Sequence, residues 1–392
     1  MGKVMLKKGK EVAVRRFHPW VFSGAIARTE GEPADGDPVE VISHSGEFLA
    51  LGYYQGGSSI AVRLLSFAKV PLDEAFWSAK LKDALRYRAS LGLSWRPGTD
   101  AFRWVHGEGD GLPGLIIDVY GEVAVIQCHT IGMHRFRMSV AEALPAVSGG
   151  RIAAVYDKSR ETLPKPYQAT VSNGYLIGHA GPGTIHENGL SFLVDWETGQ
   201  KTGFFLDQRD NRRLLQQYAA DRRVLNLFCY SGAFSVYALA GGAREVCSVD
   251  ASARAIGWAR ENLSRNGYDA EAHPLVNSDV MPFLREAGPY ELLVVDPPAF
   301  AKNLSQRHQA VQGYKRLNEA ALACAAPGAI VFTFSCSQAI DRQLFYDTIT
   351  AAAISAGRPV RVAHHLSQAA DHPVSMFHPE GSYLKGLVLV VD

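Results

Sequence analysis

The sequence predicts an α/β protein in which a small β domain and a central α+β region precede a C-terminal domain built on a parallel sheet. From about Asn188 onward, strand-like apolar runs alternate with segments of helical periodicity, which is typical of a parallel sheet with helices on both faces. Before residue 70, short apolar runs are broken by glycine, as in small β domains. A chain of 392 residues is long enough for two or three domains.

The N-terminal region, predicted as a domain over residues 1–70, has the strongest charge asymmetry in the chain. Its first 28 residues contain seven basic residues and one acidic residue, whereas the whole chain has a formal net charge of +1. The run "RRFHPWVFSG" interleaves aromatic side chains with cations, which suits phosphate contact and base stacking; a solvated arm is the alternative. The predicted RNA contacts of this region are Lys7, Lys8, Arg15, Arg16, His18 and Trp20.

The central region, predicted to span residues 71–187, begins with a helical segment, "LDEAFWSAKLKDALRYRASLG", and continues with the strand-like "GLIIDVYGEVAVIQCHT". Between them, Gly109, Gly111 and Gly114 form a G-x-G-x-x-G pattern. A dinucleotide-binding loop of this type must open a helix, but here Pro113 interrupts the pattern and a strand follows. We therefore predict a turn.

The C-terminal domain, predicted over residues 188–392, has a candidate nucleotide site at its strand ends. The loop "NLFCYSGAFS" after the first strand contains Gly232, and the second strand ends at Asp250, 18 positions later. This spacing is close to the roughly twenty residues that separate a nucleotide loop from the acid that binds the ribose. A loop with a single glycine has less need to approach a pyrophosphate, which favours S-adenosylmethionine (SAM) over NAD. Asp279, after the weaker third strand "AEAHPLV", is a candidate for the adenine edge, and helix capping is the alternative for both acids.

Two further strand ends supply a candidate catalytic pair. The fourth strand ends in "VVDPPAF" and the fifth in "FSCS", so we expect Asp296 and Cys336 at the same edge of adjacent parallel strands. This position favours Cys336 as a nucleophile over a small apolar core residue, which is the common role of free cysteine. Cys229 also follows a strand, but it lies in the cofactor loop, where packing against the ligand is expected.

The motifs "NLFCYSGAFS", "SVDAS", "DPPAF" and "FSCS", in this order, resemble class I SAM-dependent RNA methyltransferases with a Rossmann-like catalytic domain. The chain as a whole resembles the bacterial ribosomal RNA large-subunit methyltransferase I family. In particular, "HPWVFSGAI" is similar to the start of that family's PUA domain, a small β-barrel that binds RNA. Likewise, "GEGDGLPGLIIDVYG" is similar to its central domain, and "GQKTGFFLDQRDNR" to the hairpin and helix that lead into its catalytic domain. The resemblance implies a SAM-dependent enzyme that forms 5-methylcytosine in 23S rRNA.

The resemblance also implies residue roles. Cys336 would attack cytosine carbon-6, and Asp296 would hold the base by its N3/N4 edge. Asp207, Gln208 and Arg209 would line the pocket near the methionine end of SAM, with a capped helix start as the alternative. The implied cofactor-binding residues are Gln208, Phe228, Tyr230, Ser231, Gly232, Asp250, Ala251, Ser252, Asp279, Asp296 and Pro297. The implied RNA contacts of this domain are Arg209, Pro298 and Phe300.

One residue departs from the pattern of related enzymes. Many RNA 5-methylcytosine enzymes carry a second cysteine, which assists product release, where this chain has Ala299. A mechanism with a single cysteine is then required, and the base that removes the carbon-5 proton is left open. Two alternatives remain: an rRNA guanine or exocyclic-amine methyltransferase in which Cys336 is structural, and a non-catalytic RNA-binding assembly module.

Composition limits the other classes of protein. The five cysteines form no C-x-x-C pair and the thirteen histidines show no ligand-like spacing, so we expect reduced thiols and no metal site. The first ten residues lack the apolar core of a secretory signal, and no apolar run is long enough to cross a bilayer. We expect a soluble, cytoplasmic protein without a membrane partner. The sequence leaves open whether the chain forms a homodimer.

Overall fold

The computed structural model describes residues 1–301 and 303–392, which form two compact units. The first unit consists of Met1–Gly189, Val194–Leu206 and Ala370–Gly381. The second unit consists of Leu190–Leu193, Asp207–Ala369 and Ser382–Asp392. Within the described residues, we find no helix that combines the length and the apolar composition needed to cross a membrane. The three-domain boundaries expected from the sequence stay a prediction.

The first unit begins with a six-stranded sheet. Its strands are β1 (Gly2–Leu6), β2 (Trp20–Phe22), β3 (Ile26–Glu30), β4 (Pro38–Ile42), β5 (Phe48–Tyr54) and β6 (Ile60–Ser66), and a one-turn helix, α1 (Val12–Arg15), follows β1. Their spatial order is β2-β6-β5-β4-β1-β3. Alternate side chains such as Val4, Leu6, Val39 and Val41 point into a common core, as the two-residue period of a strand requires. The basic N-terminal residues are therefore part of a folded sheet and its connections and do not form a loose arm, while their predicted contact with RNA stays a prediction.

A second sheet of the first unit has five strands in the order β11-β10-β9-β8-β7. The elements of this part are α2 (Glu74–Ser90), β7 (Ala101–His106), β8 (Leu115–Tyr120), β9 (Val123–Cys128), α3 (Ile131–Val147), β10 (Ala154–Asp157), α4 (Lys165–Gln168), β11 (Gly174–Ile177) and β12 (Gly183–Glu187). The glycine pattern falls in a short 3-10 helix, Gly107–Asp110, and a turn in which Gly111 and Gly114 have positive φ angles. The strand β8 follows this turn, so the predicted turn is confirmed.

The second unit alternates strands and helices. Its elements are β13 (Leu190–Val194), α5 (Arg209–Gln217), β14 (Arg223–Leu227), α6 (Ala233–Ala240), β15 (Glu245–Asp250), α7 (Ala253–Arg265), β16 (Leu275–Asn277), α8 (Val280–Glu286), β17 (Tyr290–Val295), α9 (Arg307–Ala323), β18 (Ala325–Ser335), α10 (Arg342–Ala356), β19 (Val360–Leu366) and β20 (Lys385–Val391). The predicted third strand is shorter than "AEAHPLV" and begins only at Leu275.

The strands β14 to β20 form a seven-stranded sheet in the order β16-β15-β14-β17-β18-β20-β19. The first five are parallel, but β20 is antiparallel to both of its neighbours. Buried side chains of α8, α9 and α10 pack on one face of the sheet, while α6 packs against α5 and α7. The expectation of an entirely parallel sheet is wrong, and β19 was not predicted. An apolar run such as "LKGLVLVV" indicates a buried strand without indicating its direction.

Candidate active site

The loop between β14 and α6 has an unusual backbone. Phe228, Tyr230 and Gly232 all have positive φ angles, of 57°, 47° and 72°. This conformation is costly for the two aromatic residues, and such strain concentrates at ligand sites. Gly232 directly precedes α6, and a Cβ atom at this position would lie 2.8 Å from the Cβ of Ala259 on α7. A side chain here would therefore push α6 and α7 apart. The sequence "NLFCYSG" is thereby held in one particular loop shape at the carboxyl end of the sheet.

Asp250 ties this loop to the end of β15. Its Oδ2 atom accepts a hydrogen bond from the backbone N–H of Tyr230 at 2.9 Å, and its Oδ1 atom accepts one from Ser252 at 2.9 Å. An ionised carboxylate has about four acceptor positions, so this one can still accept hydroxyl groups. The N-cap of α7 is Ser252, whose hydroxyl accepts from Ala255, so Asp250 does not serve as the cap.

Asp279 follows β16 and occupies the N-cap position of α8, yet its side chain makes no capping hydrogen bond. The carboxylate is exposed to solvent. The capping alternative is therefore not supported, and a contact with a ligand stays a prediction.

The acceptor groups at these strand ends fit an adenosine ligand without phosphates. The segment 226–235 contains no lysine or arginine that could bind a phosphate group. Asp250 offers oxygen atoms suited to ribose hydroxyls, and the exposed Asp279 offers a further acceptor for an amino group. The residues present therefore fit SAM, which carries ribose hydroxyls and an adenine amino group.

Asp296 directly follows β17 and is half-buried. Gln208 donates a hydrogen bond from Nε2 to its Oδ2 at 3.0 Å, and Asn211 in turn donates to Oε1 of Gln208 at 2.6 Å. Burial, and then repulsion by the nearby carboxylate of Asp207, raise the pKa of Asp296 to about 7. Near neutral pH a large share of this carboxyl is protonated, so it can donate one hydrogen bond and accept another.

Gln208 thus lies at the fourth strand end, and the charge of Asp207 acts on the same carboxyl, while their predicted place near the methionine end of SAM stays a prediction. The hydroxyl of Tyr383 donates to Oδ2 of Asp207 at 2.6 Å. Neither Asp207 nor Gln208 caps α5, which starts at Arg209 without a side-chain capping bond. Arg209 itself is only 1% exposed, so the predicted direct contact of its side chain with RNA is not supported.

The rigid loop after Asp296 divides into buried and exposed residues. Pro297 is buried, whereas Pro298 and Ala299 are exposed. Phe300 is half-buried, and its ring centroid lies 4.6 Å from that of Tyr314 on α9. Phe300 therefore packs against the protein, which weakens the prediction that it contacts RNA, while Pro298 remains accessible.

Cys336 directly follows β18, the parallel neighbour of β17. In this pair of strands Val295 is opposite Thr333, so Asp296 and Cys336 emerge at the same edge of the sheet, as expected. The two strand-end loops are joined by a hydrogen bond from Oγ of Ser337 to the carbonyl oxygen of Ala301 at 2.8 Å.

Burial separates Cys336 from the other four cysteines. Cys336 is half-buried, and the others are buried. Burial raises the pKa of each of these four thiols, Cys128, Cys229, Cys247 and Cys324. A thiol with a raised pKa forms little of the reactive thiolate. Cys229, the rival nucleophile at the first strand end, is therefore disfavoured.

Two residues at this edge, Tyr383 and Lys385, were not predicted from the sequence. Because β20 is antiparallel to β18, its first residue, Lys385, lies opposite Ser335 at the end of β18. The only signal in the sequence was a hydroxyl and a cation, "SYLKG", at the start of an apolar run.

The predicted RNA-binding residues of the first unit divide into exposed and engaged side chains. Lys7, Lys8 and Arg16 are exposed. Arg15 is also exposed but forms an ion pair with Glu47. Lys7 and Lys8 lie on the connection that follows β1, Arg15 ends α1, and Arg16 follows it.

His18 and Trp20 are half-buried. The indole N–H of Trp20 donates to Oε1 of Glu108 at 2.8 Å, and its ring packs against His378 at a centroid distance of 4.2 Å. Trp20 therefore has a packing role, and its predicted base stacking is not supported. A groove nearby is lined by Gly9, Lys10, Val12, Ala13, Arg16, His18 and Phe377.

Phe377 was missed because it lies more than 300 positions further along the chain, in the segment Ala370–Gly381 that folds with the first unit. Its ring is 53% exposed and lies 5.3 Å from that of Phe17, which is 51% exposed. The sequence predicted a surface of aromatic rings among cations. The exposed rings of Phe17 and Phe377 fit this prediction better than the ring of Trp20 does.

Among the residues that the structure describes, no cluster of His, Cys, Asp or Glu could hold a metal ion.

Comparison with known proteins identifies the family. The family model of S-adenosylmethionine-dependent methyltransferases matches residues 152–367, and that of PUA-like domains matches residues 4–67. The chain is 40% identical to the ribosomal RNA large subunit methyltransferase I of Klebsiella pneumoniae (strain 342), over 98% of this chain and 97% of that protein. The chain belongs to the ribosomal RNA large subunit methyltransferase I family. The relative of that name in Aeromonas salmonicida is also 40% identical, over 98% of both chains.

Solved structures agree with this fold. A protein from Streptococcus mutans described as a SAM-dependent methyltransferase has a TM-score of 0.85 at 24% identity, with complete coverage of both chains. A methyltransferase solved in complex with S-adenosylhomocysteine has the same score and coverage. The predicted fold class is confirmed: a PUA-like N-terminal domain and a C-terminal class I methyltransferase domain whose cofactor is SAM.

Replacing Asp250 by alanine is expected to weaken SAM binding at least tenfold while the fold stays intact. A carboxylate that accepts two ribose hydroxyls makes charge-assisted hydrogen bonds, each worth on the order of 1.5–3 kcal/mol. Isothermal calorimetry measures the affinity, and circular dichroism checks the fold. Asp269→Ala, which removes an exposed acid outside the strand ends, is the control and should bind normally. An unchanged affinity of Asp250→Ala would remove this residue from the site.

Proposed function

We propose that this protein transfers the methyl group of SAM to carbon-5 of a cytosine in large-subunit (23S) ribosomal RNA, with Cys336 as a covalent nucleophile. The observation that carries the proposal is the pair at the sheet edge: Cys336 is the one half-buried thiol, and Asp296 has a pKa raised to about 7. The name of the curated relatives supports large-subunit rRNA as the substrate. The proposal places the protein in the cytoplasm with its RNA.

The reaction explains why both groups are needed. Carbon-5 of cytosine is a weak nucleophile, so the ring must first be activated. The Cys336 thiolate forms a bond to carbon-6, and the electron pair of the C5–C6 double bond shifts through C4 towards N3. The protonated carboxyl of Asp296 donates its proton to N3 as that charge develops, while its other oxygen accepts a hydrogen bond from the N4 amino group.

Carbon-5 of the activated ring would then take the methyl group as the carbon–sulfur bond of SAM breaks, and S-adenosylhomocysteine would leave with the electron pair of that bond. SAM supplies a methyl group bonded to a positively charged sulfur, which makes it an electrophile for carbon-5. A base removes the carbon-5 proton, and the C5–C6 double bond re-forms as Cys336 leaves as a thiolate. The proton on N3 returns to Asp296. One proton is released for each methyl group transferred, and the enzyme is restored.

Asp207 and Gln208 support these steps by setting the protonation of Asp296. Gln208 fixes the orientation of the carboxyl through its hydrogen bond to Oδ2. Asp207 contributes a negative charge that disfavours ionisation of Asp296. The Gln208 hydrogen bond by itself lowers the pKa of Asp296, but burial and the charge of Asp207 outweigh it, so we expect the acid to be available at neutral pH.

The target base must leave its stack to reach a catalytic thiol, and single-stranded or irregular RNA makes this step easier. The PUA-like region would supply phosphate contacts that position the RNA without reading its sequence. None of these steps needs a homodimer. The homodimer that the sequence leaves open can be tested by measuring the molecular size in solution.

The experiment is direct analysis of the methylated nucleoside. Ribosomal RNA from a strain that lacks the protein is incubated with purified protein and SAM carrying a trideuterated methyl group, both as naked 23S rRNA and as large subunits. Mass spectrometry of the nucleosides should show trideuterated 5-methylcytidine in 23S rRNA and none in 16S rRNA from the same strain. Labelled methylguanosine or an N-methylated base would contradict the proposal, and no label in either substrate would favour a non-catalytic role.

Removing two exposed cations, Lys8 and Arg16, is expected to reduce the salt dependence of RNA binding. Each lost phosphate contact should lower the magnitude of the slope of log K against log salt by roughly 0.7 to 0.9. Lys8→Ala with Arg16→Ala should therefore lower it by about 1.4 to 1.8 and leave SAM affinity unchanged.

Arg15→Ala serves as a matched control because Glu47 already neutralises this cation, so its effect on the slope should be smaller. Filter binding at several salt concentrations gives the slopes. If the double variant has the slope of the parent protein, this surface does not contact RNA phosphates.

A further inference from the structure

Lys385 is a buried lysine at the edge of the sheet that holds the candidate catalytic pair. It is only 5% exposed, and lysine is almost never this buried unless it has a partner. Its Nζ atom donates hydrogen bonds to the carbonyl oxygen atoms of Ser337 at 2.7 Å and Tyr383 at 2.6 Å. These bonds use two of the three donors of an ammonium group. Among the residues that the structure describes, Lys385 forms no ion pair with a carboxylate.

The anchors of Lys385 bracket Cys336 along the chain. Ser335, the residue before Cys336, is the register partner of Lys385 in the β18–β20 ladder. Ser337, the residue after it, provides the carbonyl oxygen that holds Nζ. The backbone of Lys385 is therefore fixed beside the residue before the cysteine, and its ammonium group is held by the residue after it. Burial lowers the pKa of Lys385 to about 8, while the opposite charge of a Cys336 thiolate acts to raise it.

We propose that Lys385 is a positioning residue that holds Cys336 in its thiolate form through the charge of its ammonium group. This inference rests on the proposed function, because a thiolate is the form that attacks carbon-6. The thiolate, rather than the thiol, is the reactive form of cysteine, and a neighbouring lysine favours it. The same charge makes Cys336 a better leaving group when the C5–C6 double bond re-forms.

Other groups that face this pair contribute less or oppose one another. On α9, burial raises the pKa of Tyr314 to about 12, so its hydroxyl is neutral at physiological pH. At the start of α10, the carboxylate of Asp341 raises the pKa of Lys385 and the guanidinium of Arg342 lowers it. Asp296, at the end of β17, becomes negatively charged only as the pH rises through about 7. The ammonium of Lys385 remains as the cation anchored beside Cys336.

The test is the pH dependence of Cys336 alkylation. The full-length protein is treated with iodoacetamide at a series of pH values without RNA or SAM, and the rate at Cys336 is followed by peptide mass spectrometry. Lys385→Gln keeps hydrogen-bond donors but removes the charge, and Lys385→Arg keeps the charge. In Lys385→Gln the midpoint of the rate profile should rise by about one pH unit or more. Lys385→Arg should restore the midpoint of the parent protein at least in part.

A purely structural role would lower thermal stability without moving this midpoint. An unchanged midpoint in a Lys385→Gln variant that still binds SAM would overturn the inference. If that variant does not fold, the midpoint of the alkylation profile of the parent protein is the test. A midpoint at or above the ordinary thiol value of about 8.5 is incompatible with a thiolate held by Lys385.

This test can fail independently of the proposed function, since it uses neither substrate. Formation of 5-methylcytidine with an unmoved midpoint overturns only the role of Lys385. A moved midpoint with a different methylated nucleoside overturns only the proposed reaction.

Discussion

Replacing Cys336 by alanine is expected to abolish methyl transfer while SAM still binds with the affinity of the parent protein. The thiol acts only in the chemical step, so its loss should lower kcat by on the order of a thousandfold or more. Methyl transfer from labelled SAM to 23S rRNA measures the rate, and calorimetry measures the affinity for SAM.

Cys229→Ala and Cys324→Ala are matched controls, because both remove a buried thiol whose pKa is raised by burial. Each should lose at most part of the activity, through a small loss of packing. The opposite pattern would assign Cys336 to the core: turnover within tenfold of the parent protein, with a loss of stability of about 1 kcal/mol.

Replacing Asp296 by asparagine is expected to stop the reaction and to stabilise the protein at alkaline pH. An asparagine side chain can still form hydrogen bonds but cannot transfer a proton to N3, so kcat should fall by about a hundredfold to ten thousandfold. The effect on stability follows from the pKa of Asp296, which is raised from an ordinary value of 3.8 to about 7.

The sign of the effect on stability is fixed by proton binding. Between the two pKa values the folded chain holds more protons than the unfolded chain, so the free energy of unfolding falls as the pH rises through this window. Above about pH 7 the penalty of the half-buried carboxylate is fully present. Because each pKa unit is worth about 1.4 kcal/mol, Asp296→Asn should gain about 1 to 3 kcal/mol at pH 8 and less at pH 5.

Urea unfolding of both proteins at pH 5 and pH 8 measures this difference. Asp279→Asn is the control, because its carboxylate is exposed and its removal should not change the pH dependence of stability. A gain that is equal at the two pH values would show that the pKa of Asp296 is not raised, and full activity would remove Asp296 from the mechanism.

Part of the site could be predicted because the carboxyl ends of parallel strands lie at the same edge of the sheet. Once the alternation of strands and helices indicates a parallel sheet, the residues after each strand are expected to lie together, which led to Gly232, Asp250, Asp296 and Cys336. The structure places each of these at the expected strand end. The sequence already favoured Cys336 over Cys229, which lies in the cofactor loop, and the structure adds that the two thiols differ in burial, which the sequence does not report.

The part that could not be predicted depends on strand direction and distant contacts. The sequence predicted a parallel sheet, and if β20 were parallel to β18, Lys385 would lie at the opposite edge from Cys336. Because β20 is antiparallel to β18, Lys385 lies at the same edge as Cys336, and it was therefore not predicted. Phe377 joins the aromatic residues of the first unit only because residues far apart in the chain fold together. An RNA contact was predicted for Arg209 from the family resemblance and for Trp20 from the interleaving of aromatic residues with cations, neither of which reports burial, and both side chains are engaged within the protein.

The central claim is that Cys336 forms a covalent bond to the target cytosine, and RNA containing 5-fluorocytosine tests it most directly. Fluorine at carbon-5 cannot leave as a proton does, so the enzyme should be trapped on the RNA after methyl transfer. The account predicts a SAM-dependent adduct that survives denaturing electrophoresis and maps by peptide mass spectrometry to Cys336. No adduct with an RNA that is methylated in its unmodified form, or an adduct that maps to Cys229, would contradict the account.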